Sequence, residues 1–218
     1  MPHASVEPAS RASTRGFAAL VFVGAALLVA LAITVGGHVT AFDESLASAI
    51  AAGRSSTLEH MGQVIAAATR PAVLTALVIV ISALLAIRRR WLDAGVLLLA
   101  TLMSDVLAVI VKDLTDRPRP AAPINLAPEA EASFPSGHVV TAATVAFVLV
   151  LVFWPQLSRV SRGWCLMTAG AFTLLVSADR LLVGAHWLTD VIAGLAAAAV
   201  LIGASGLLLA RRSPRITS

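Results

Sequence analysis

An all-α integral membrane bundle of six transmembrane helices, with short amphipathic helices on its extracytoplasmic face, is the fold this sequence predicts. Two observations carry that expectation. Of 218 residues, 58% are hydrophobic and 13% charged, against about a quarter charged in a water-soluble domain, and the mean hydropathy is +0.89. The apolar residues also gather into six runs of 16 to 21 residues, each near the length that crosses a bilayer. Six spans consume nearly the whole chain, which excludes a large separate soluble domain such as a Rossmann or P-loop unit.

The runs follow one another with short connections. Phe17 to Val35 comes first and carries no charge. It exceeds the roughly 7 to 15 apolar residues of a signal peptide, so a retained span is expected even though Val39-Thr40-Ala41 would pass as a cleavage site. His38 to Arg70 mixes Ala, Leu and Ile with Asp43, Glu44, Arg54, Glu59 and His60, the pattern of one or two amphipathic helices lying on the outer surface as a lid or packing element. Pro71 to Ile87, Trp91 to Val111, Val139 to Ser158, Gly163 to Ala178 and Val191 to Ala210 complete the spans. Lys112 to Gly137 is polar and holds five prolines, which marks a loop. One membrane domain is thus expected over 17–210, between tails 1–16 and 211–218, with disorder at 1–10 and 213–218.

Charge orients the bundle. With the N-terminus inside, ten cations (Arg11, Arg15, Arg88, Arg89, Arg90, Arg159, Arg162, Arg211, Arg212 and Arg215) fall on the cytoplasmic side and six (Arg54, Arg70, Lys112, Arg117, Arg119 and Arg180) outside. The excess places both termini in the cytoplasm. The net charge of +4 therefore reflects topology, and no nucleic-acid partner is expected. Trp91, Trp154, Trp164 and Trp187 lie near span ends, as an interfacial belt would place them. The single Cys165 excludes an internal disulfide and a cysteine-ligated metal site.

Three segments that emerge on the outer side concentrate chemistry. Lys112 to Pro120 contributes Lys112, Arg117 and Arg119 where the third span ends. Ser133-Phe134-Pro135-Ser136-Gly137-His138 precedes the fourth: Ser136 can cap the helix, Gly137 lets backbone approach a ligand closely, and the helix N-terminus favours an anion beside His138. Asp179 to Asp190 joins the last two spans. There His186 and Asp190, four residues apart on one helix face, suit a carboxylate that holds one ring nitrogen and presents the other as nucleophile or base. A metal pair would use the same spacing, but Arg180, Lys112 and Arg119 would repel it, so neither metal nor other cofactor is expected. Fixed cations, a helix N-terminus and two histidines suit phosphoryl transfer, with one histidine attacking phosphorus and the other protonating the departing oxygen. Hydrolysis, transfer to a lipid or sugar acceptor, and carriage of a lipid phosphate all stay open to such a site. The His186 and Asp190 pairing, which binding alone does not require, favours an enzyme.

Lys112, six residues, Arg119-Pro120; then Pro135-Ser136-Gly137-His138; then Arg180, five residues, His186, three residues, Asp190: in order and spacing this resembles the three-part signature of the type 2 phosphatidic acid phosphatase superfamily. The motifs span Lys112 to Asp190, and the six-span pattern extends the likeness over about residues 17–210. The resemblance implies a metal-independent phosphatase in which His186 forms a phosphohistidine, Asp190 orients it and His138 is the general acid. Lys112, Arg119 and Arg180 would bind phosphate oxygens, with Ser136 and Gly137 adding hydrogen bonds. It further implies a membrane lipid phosphate or diphosphate as substrate, in the phosphatidic acid, phosphatidylglycerol phosphate or polyprenyl diphosphate class, the last placed first. The family's soluble haloperoxidase relatives do not match six spans. One departure stands out: Asp179 occupies the place where the family's third motif commonly has Ser, and its carboxylate is expected to turn from the phosphate toward a cation such as Arg117. Asp105, well inside the third span and seven residues before Lys112, is expected either to tune the pocket floor or to be a hydrogen-bonded packing residue.

Overall fold

The computed structural model describes residues 8–127 and 129–211, with side chains from residue 13 onward. Among the described residues eight α-helices follow one another: α1 (Pro8–Val35), α2 (Ala41–Ala52), α3 (Ser56–Ala68), α4 (Pro71–Ile87), α5 (Trp91–Thr115), α6 (Gly137–Phe153), α7 (Arg159–Leu182) and α8 (Leu188–Ala210). Five of them, α1 and α5 to α8, are long and apolar enough to cross a membrane; α3 and α4 together make a sixth, bent by 42°. All six expected runs are helical; α4, with 17 residues, reaches spanning length only if counted together with α3, and several helices run further than the apolar runs suggested. α1 starts at Pro8, inside the segment expected to be a disordered tail; residues 1–7 and 212–218 lie outside the described residues. α5 continues to Thr115 and α7 to Leu182, so Lys112, Asp179 and Arg180 sit in last helical turns rather than in connections. There a cation also complements the helix dipole.

α6 is the central helix. Val139, Val140, Val148 and Val152 have no exposure, and α4, α5, α7 and α8 surround it. Its partners on one side form a core with Val78, Leu85, Leu97 and Ala100, and on the other with Leu28, Ala193, Ala196 and Ala197. Outward faces carry bare apolar side chains such as Phe22, Ile33, Ile79, Val109 and Leu174, which is what a lipid solvent requires. α1 lies against α8 at backbone distance: a Cβ on Gly24 would come within 2.8 Å of the Ala196 carbonyl oxygen, and one on Gly203 within 2.7 Å of that of Phe17. Small residues permit this approach, and close van der Waals contact is the main attraction between helices in lipid.

The segment 38–70 forms two helices, each capped by its own hydroxyl. Thr40 accepts from the Asp43 N–H at 3.0 Å and Ser55 from that of Leu58 at 3.3 Å, satisfying donors that a helix start leaves free. α3 packs on α7, and α2 on both α7 and α8. Arg54 fastens them further by donating to the Leu182 carbonyl at 3.1 Å.

Candidate active site

The C-terminal ends of α5 and α7 and the N-terminal ends of α6 and α8 meet at one face of the bundle. α1 ends on the same face, where the His38 carbonyl accepts from Arg117 Nε at 2.9 Å. Hence α1 begins, and α8 finishes, on the opposite face. All eight expected site residues come together here. His138 lies on the first turn of α6 beside Arg180, whose Nη1 is 3.4 Å from its Nε2. His186, in the α7–α8 turn, has Arg119 Nη1 at 3.3 Å from its Nε2 and Asp190 Oδ2 at 3.5 Å from its Nδ1. That last separation exceeds a hydrogen bond, and catalytic contacts of this kind commonly tighten only around substrate. The turn itself depends on Gly184 at φ +64, where the Ile124 carbonyl leaves no room for a Cβ. Gly184 thereby delivers His186 to the site.

A cavity of about 760 Å³ is lined by Lys112, Gly137, His138 and Arg180 and by Asp105; Arg119, Ser136, His186 and Asp190 are not among its lining residues. Its volume suits a headgroup with part of a tail. Ser136 occupies the N-cap position of α6, yet its hydroxyl makes no capping bond and is buried without a partner. The expected side-chain cap is therefore corrected to a backbone cap with a free hydroxyl. Asp105 accepts from Thr75 at 3.1 Å and Thr141 at 3.0 Å, so this intramembrane carboxylate is both a packing residue and part of the cavity wall. Asp179 does turn from the cavity, but toward its neighbour Arg180, whose Nε and Nη2 both reach Asp179 Oδ2. The expected partner Arg117 is engaged elsewhere.

Three features of the site were not foreseen: the partners of Arg117, those of Lys112 and Arg119, and the burial of Trp187. Arg117 is buried and bonds to Asp43 at 2.9 Å and Asp190 at 2.5 Å; its position two residues before Arg119 was its sole sequence signal. Glu131 accepts from Lys112 at 3.0 Å and Glu129 from Arg119 at 2.7 Å. Trp187 is not part of an interfacial belt: it is 6% exposed and donates to the Pro118 carbonyl at 2.8 Å.

Electrostatics prepare the two ends of the site differently. The Lys112 ammonium holds the Glu131 carboxyl below the usual range, first by hydrogen bonding and then by charge. A phosphate arriving at Lys112 must displace that carboxylate. Glu131→Gln should therefore tighten inhibition by orthovanadate by up to about fivefold, the most that an exposed ion pair withholds; unchanged inhibition would show that Glu131 does not compete. For His186, burial pushes the imidazole below its ordinary value, Asp190 opposes this and Arg119 reinforces it. The folded protein then keeps this ring neutral while the unfolded chain takes up a proton below about pH 6.5. Stability from this source is complete above that value and lost progressively as pH falls from it toward the lower folded value. The apparent melting temperature in detergent should drop more between about pH 7 and about pH 5 for wild type than for His186→Asn. Parallel curves would contradict a neutral buried ring.

A family model described as the PAP2 superfamily matches residues 93–213. The chain belongs to this superfamily. This PAP2 protein is 30% identical over 171 residues to Phosphatidylglycerophosphatase B of Bacillus subtilis (strain 168), covering 77% of its own length and 83% of the relative's. Its fold matches a transmembrane PAP2-type phosphatidylglycerolphosphate phosphatase from Bacillus subtilis with a TM-score of 0.73 at 26% identity, over 87% of this chain and 93% of that one. Aquifex aeolicus LpxE follows with a TM-score of 0.58 at 26% identity, over 77% and 96%. The protein is thus a multi-pass membrane phosphatase of the PAP2 lipid phosphatase family.

Proposed function

We propose that this protein hydrolyses a membrane lipid phosphate or diphosphate at the outer leaflet through a phosphohistidine on His186, without a metal ion. The observation that carries the reading is the placement of His186 Nε2 beside Arg119, with Asp190 behind Nδ1 and Arg180 beside His138. Lys112, Arg119 and Arg180 neutralise the phosphoryl oxygens, and the Ser136 hydroxyl and the α6 N-terminus at Gly137 add donors. Nε2 of His186 bonds to phosphorus as the bond to the leaving oxygen breaks, and His138 protonates that oxygen. Asp190 stabilises the positive charge that grows on the ring. Water then attacks phosphorus, His138 takes its proton, the P–N bond breaks, and inorganic phosphate leaves. Three guanidinium and ammonium groups around two imidazoles disfavour a divalent cation, which supports metal independence.

The name of the Bacillus subtilis relative, matched in both sequence and structure, moves phosphatidylglycerol phosphate ahead of polyprenyl diphosphate as first candidate. The arginine distribution supports a cytoplasmic location for both termini, with the site facing out. The membrane unit over 17–210 supplies every group in this scheme. The test is phosphate release by the detergent-purified protein in EDTA from phosphatidic acid, phosphatidylglycerol phosphate and undecaprenyl diphosphate. Release from one of them supports hydrolysis and names the substrate. A phosphorylated acceptor without free phosphate would instead make the protein a transferase.

A further inference from the structure

We propose that Asp43 and Arg117 are positioning residues that set the His186 nucleophile through Asp190, so that the surface helix α2 belongs to the catalytic apparatus. The inference rests on His186 acting as nucleophile, as proposed above. Arg117 follows Asp116, the αL residue that ends α5, and precedes Pro118, which holds it in extended backbone. Its side chain is thereby sent inward, where it is fully buried. Every arm of the guanidinium is engaged: Nε donates to the His38 carbonyl at 2.9 Å, Nη1 to Thr189 Oγ1 at 2.7 Å and Asp190 Oδ1 at 2.5 Å, and Nη2 to Asp43 Oδ2 at 2.9 Å. Such a fork cannot rotate without breaking bonds to three separate segments.

Asp43 is equally constrained. Its Oδ2 accepts from Thr40 and Thr189 hydroxyls, both at 2.8 Å, as well as from Arg117, and its Oδ1 accepts from the Thr189 N–H at 3.1 Å. Burial alone would raise its proton affinity; the bonds from Thr189, Thr40 and Arg117 outweigh this and hold it below the usual value. A carboxylate from α2 therefore caps the start of α8 while drawing on the Arg117 charge. The remaining oxygen of Asp190 accepts from the Trp187 N–H at 2.9 Å and faces His186.

The charge order decides what the arrangement does. If Arg117 paired with Asp190 alone, it would cancel the negative charge that the imidazole needs as its Nε2 bonds to phosphorus. Asp43 shares the guanidinium, so the three groups together present a net negative charge to His186. Buried ion pairs seldom repay their desolvation as stability, whereas fixing Asp190 within the reach of Nδ1 is a gain in orientation.

The test uses the full chain in detergent, with 32P-labelled phosphatidylglycerol phosphate and rapid quenching, so that trapped phosphoenzyme counts competent sites and its rise gives the rate per site. Asp43→Asn should keep KM within about twofold and slow phosphoenzyme formation per site about 10- to 100-fold, on the scale by which outer partners of metal-ligating histidines act. Arg117→Lys should fall between wild type and Arg117→Ala. Thr189→Val, which removes only the hydroxyl linking Arg117 to Asp43, should slow the same step in a chain that keeps both charges. A wild-type rate per site in Asp43→Asn and Thr189→Val, with fewer sites trapped, would overturn the proposal and leave both residues structural. Release of phosphate from this lipid by wild type without acid-labile phosphate on His186 would sink the nucleophile assignment itself, an outcome distinct from the first.

Discussion

Alanine at position 186 should leave the purified protein folded and unable to release phosphate, with the rate down by about 10⁴-fold or more, as when an activated nucleophile is removed. His186 is 2% exposed and packed between Arg119 and Asp190, so no bulk solvent stands ready to replace it. Loss of labelled phosphoenzyme should accompany loss of turnover. Retained phosphoenzyme in this variant would move the nucleophile to another residue, and His138 would be examined first.

The second large effect is on Arg180. Its replacement by alanine should cost about 2 to 4 kcal/mol of transition-state stabilisation, the scale for one preorganised donor. It should also destabilise the protein by about 3 to 5 kcal/mol, because Asp179 would be left as an unpaired buried charge. Asp179 is 3% exposed, and its Oδ1 already lacks a hydrogen bond. Asp179→Asn combined with Arg180→Ala should therefore restore much of the lost melting temperature but none of the lost kcat/KM. Recovery of activity in the double variant would show that Arg180 acts on fold alone and does not touch phosphate.

These cases show what the sequence could and could not disclose. Spacing made the clustered set readable, because Lys112, Arg119, Ser136, Gly137, His138, Arg180, His186 and Asp190 lie in three short stretches that the fold brings to one face. Apolar run length made the spans readable, since bilayer thickness sets it. It underestimated α5 and α7, whose last turns carry Lys112 and Arg180 and so interrupt the apolar pattern without ending the helix. Asp43 gave no signal: an acidic residue in the first turn of an amphipathic helix looks like a solvated cap, and its partner Arg117 is 74 residues away. The pairing of Asp179 was hidden for a different reason. Adjacent helical residues point about 100° apart, yet the long Arg180 side chain folds back onto its neighbour.

The contact between α1 and α8 bears on how the protein is made. The first of these helices to leave the ribosome packs chiefly on the last, with Gly24, Gly203 and Gly206 shaped for that partner. The bundle closes once α8 has entered the bilayer. Without α8 the small-residue face of α1 has no partner and the site lacks Asp190, so one helix completes both the bundle and the site.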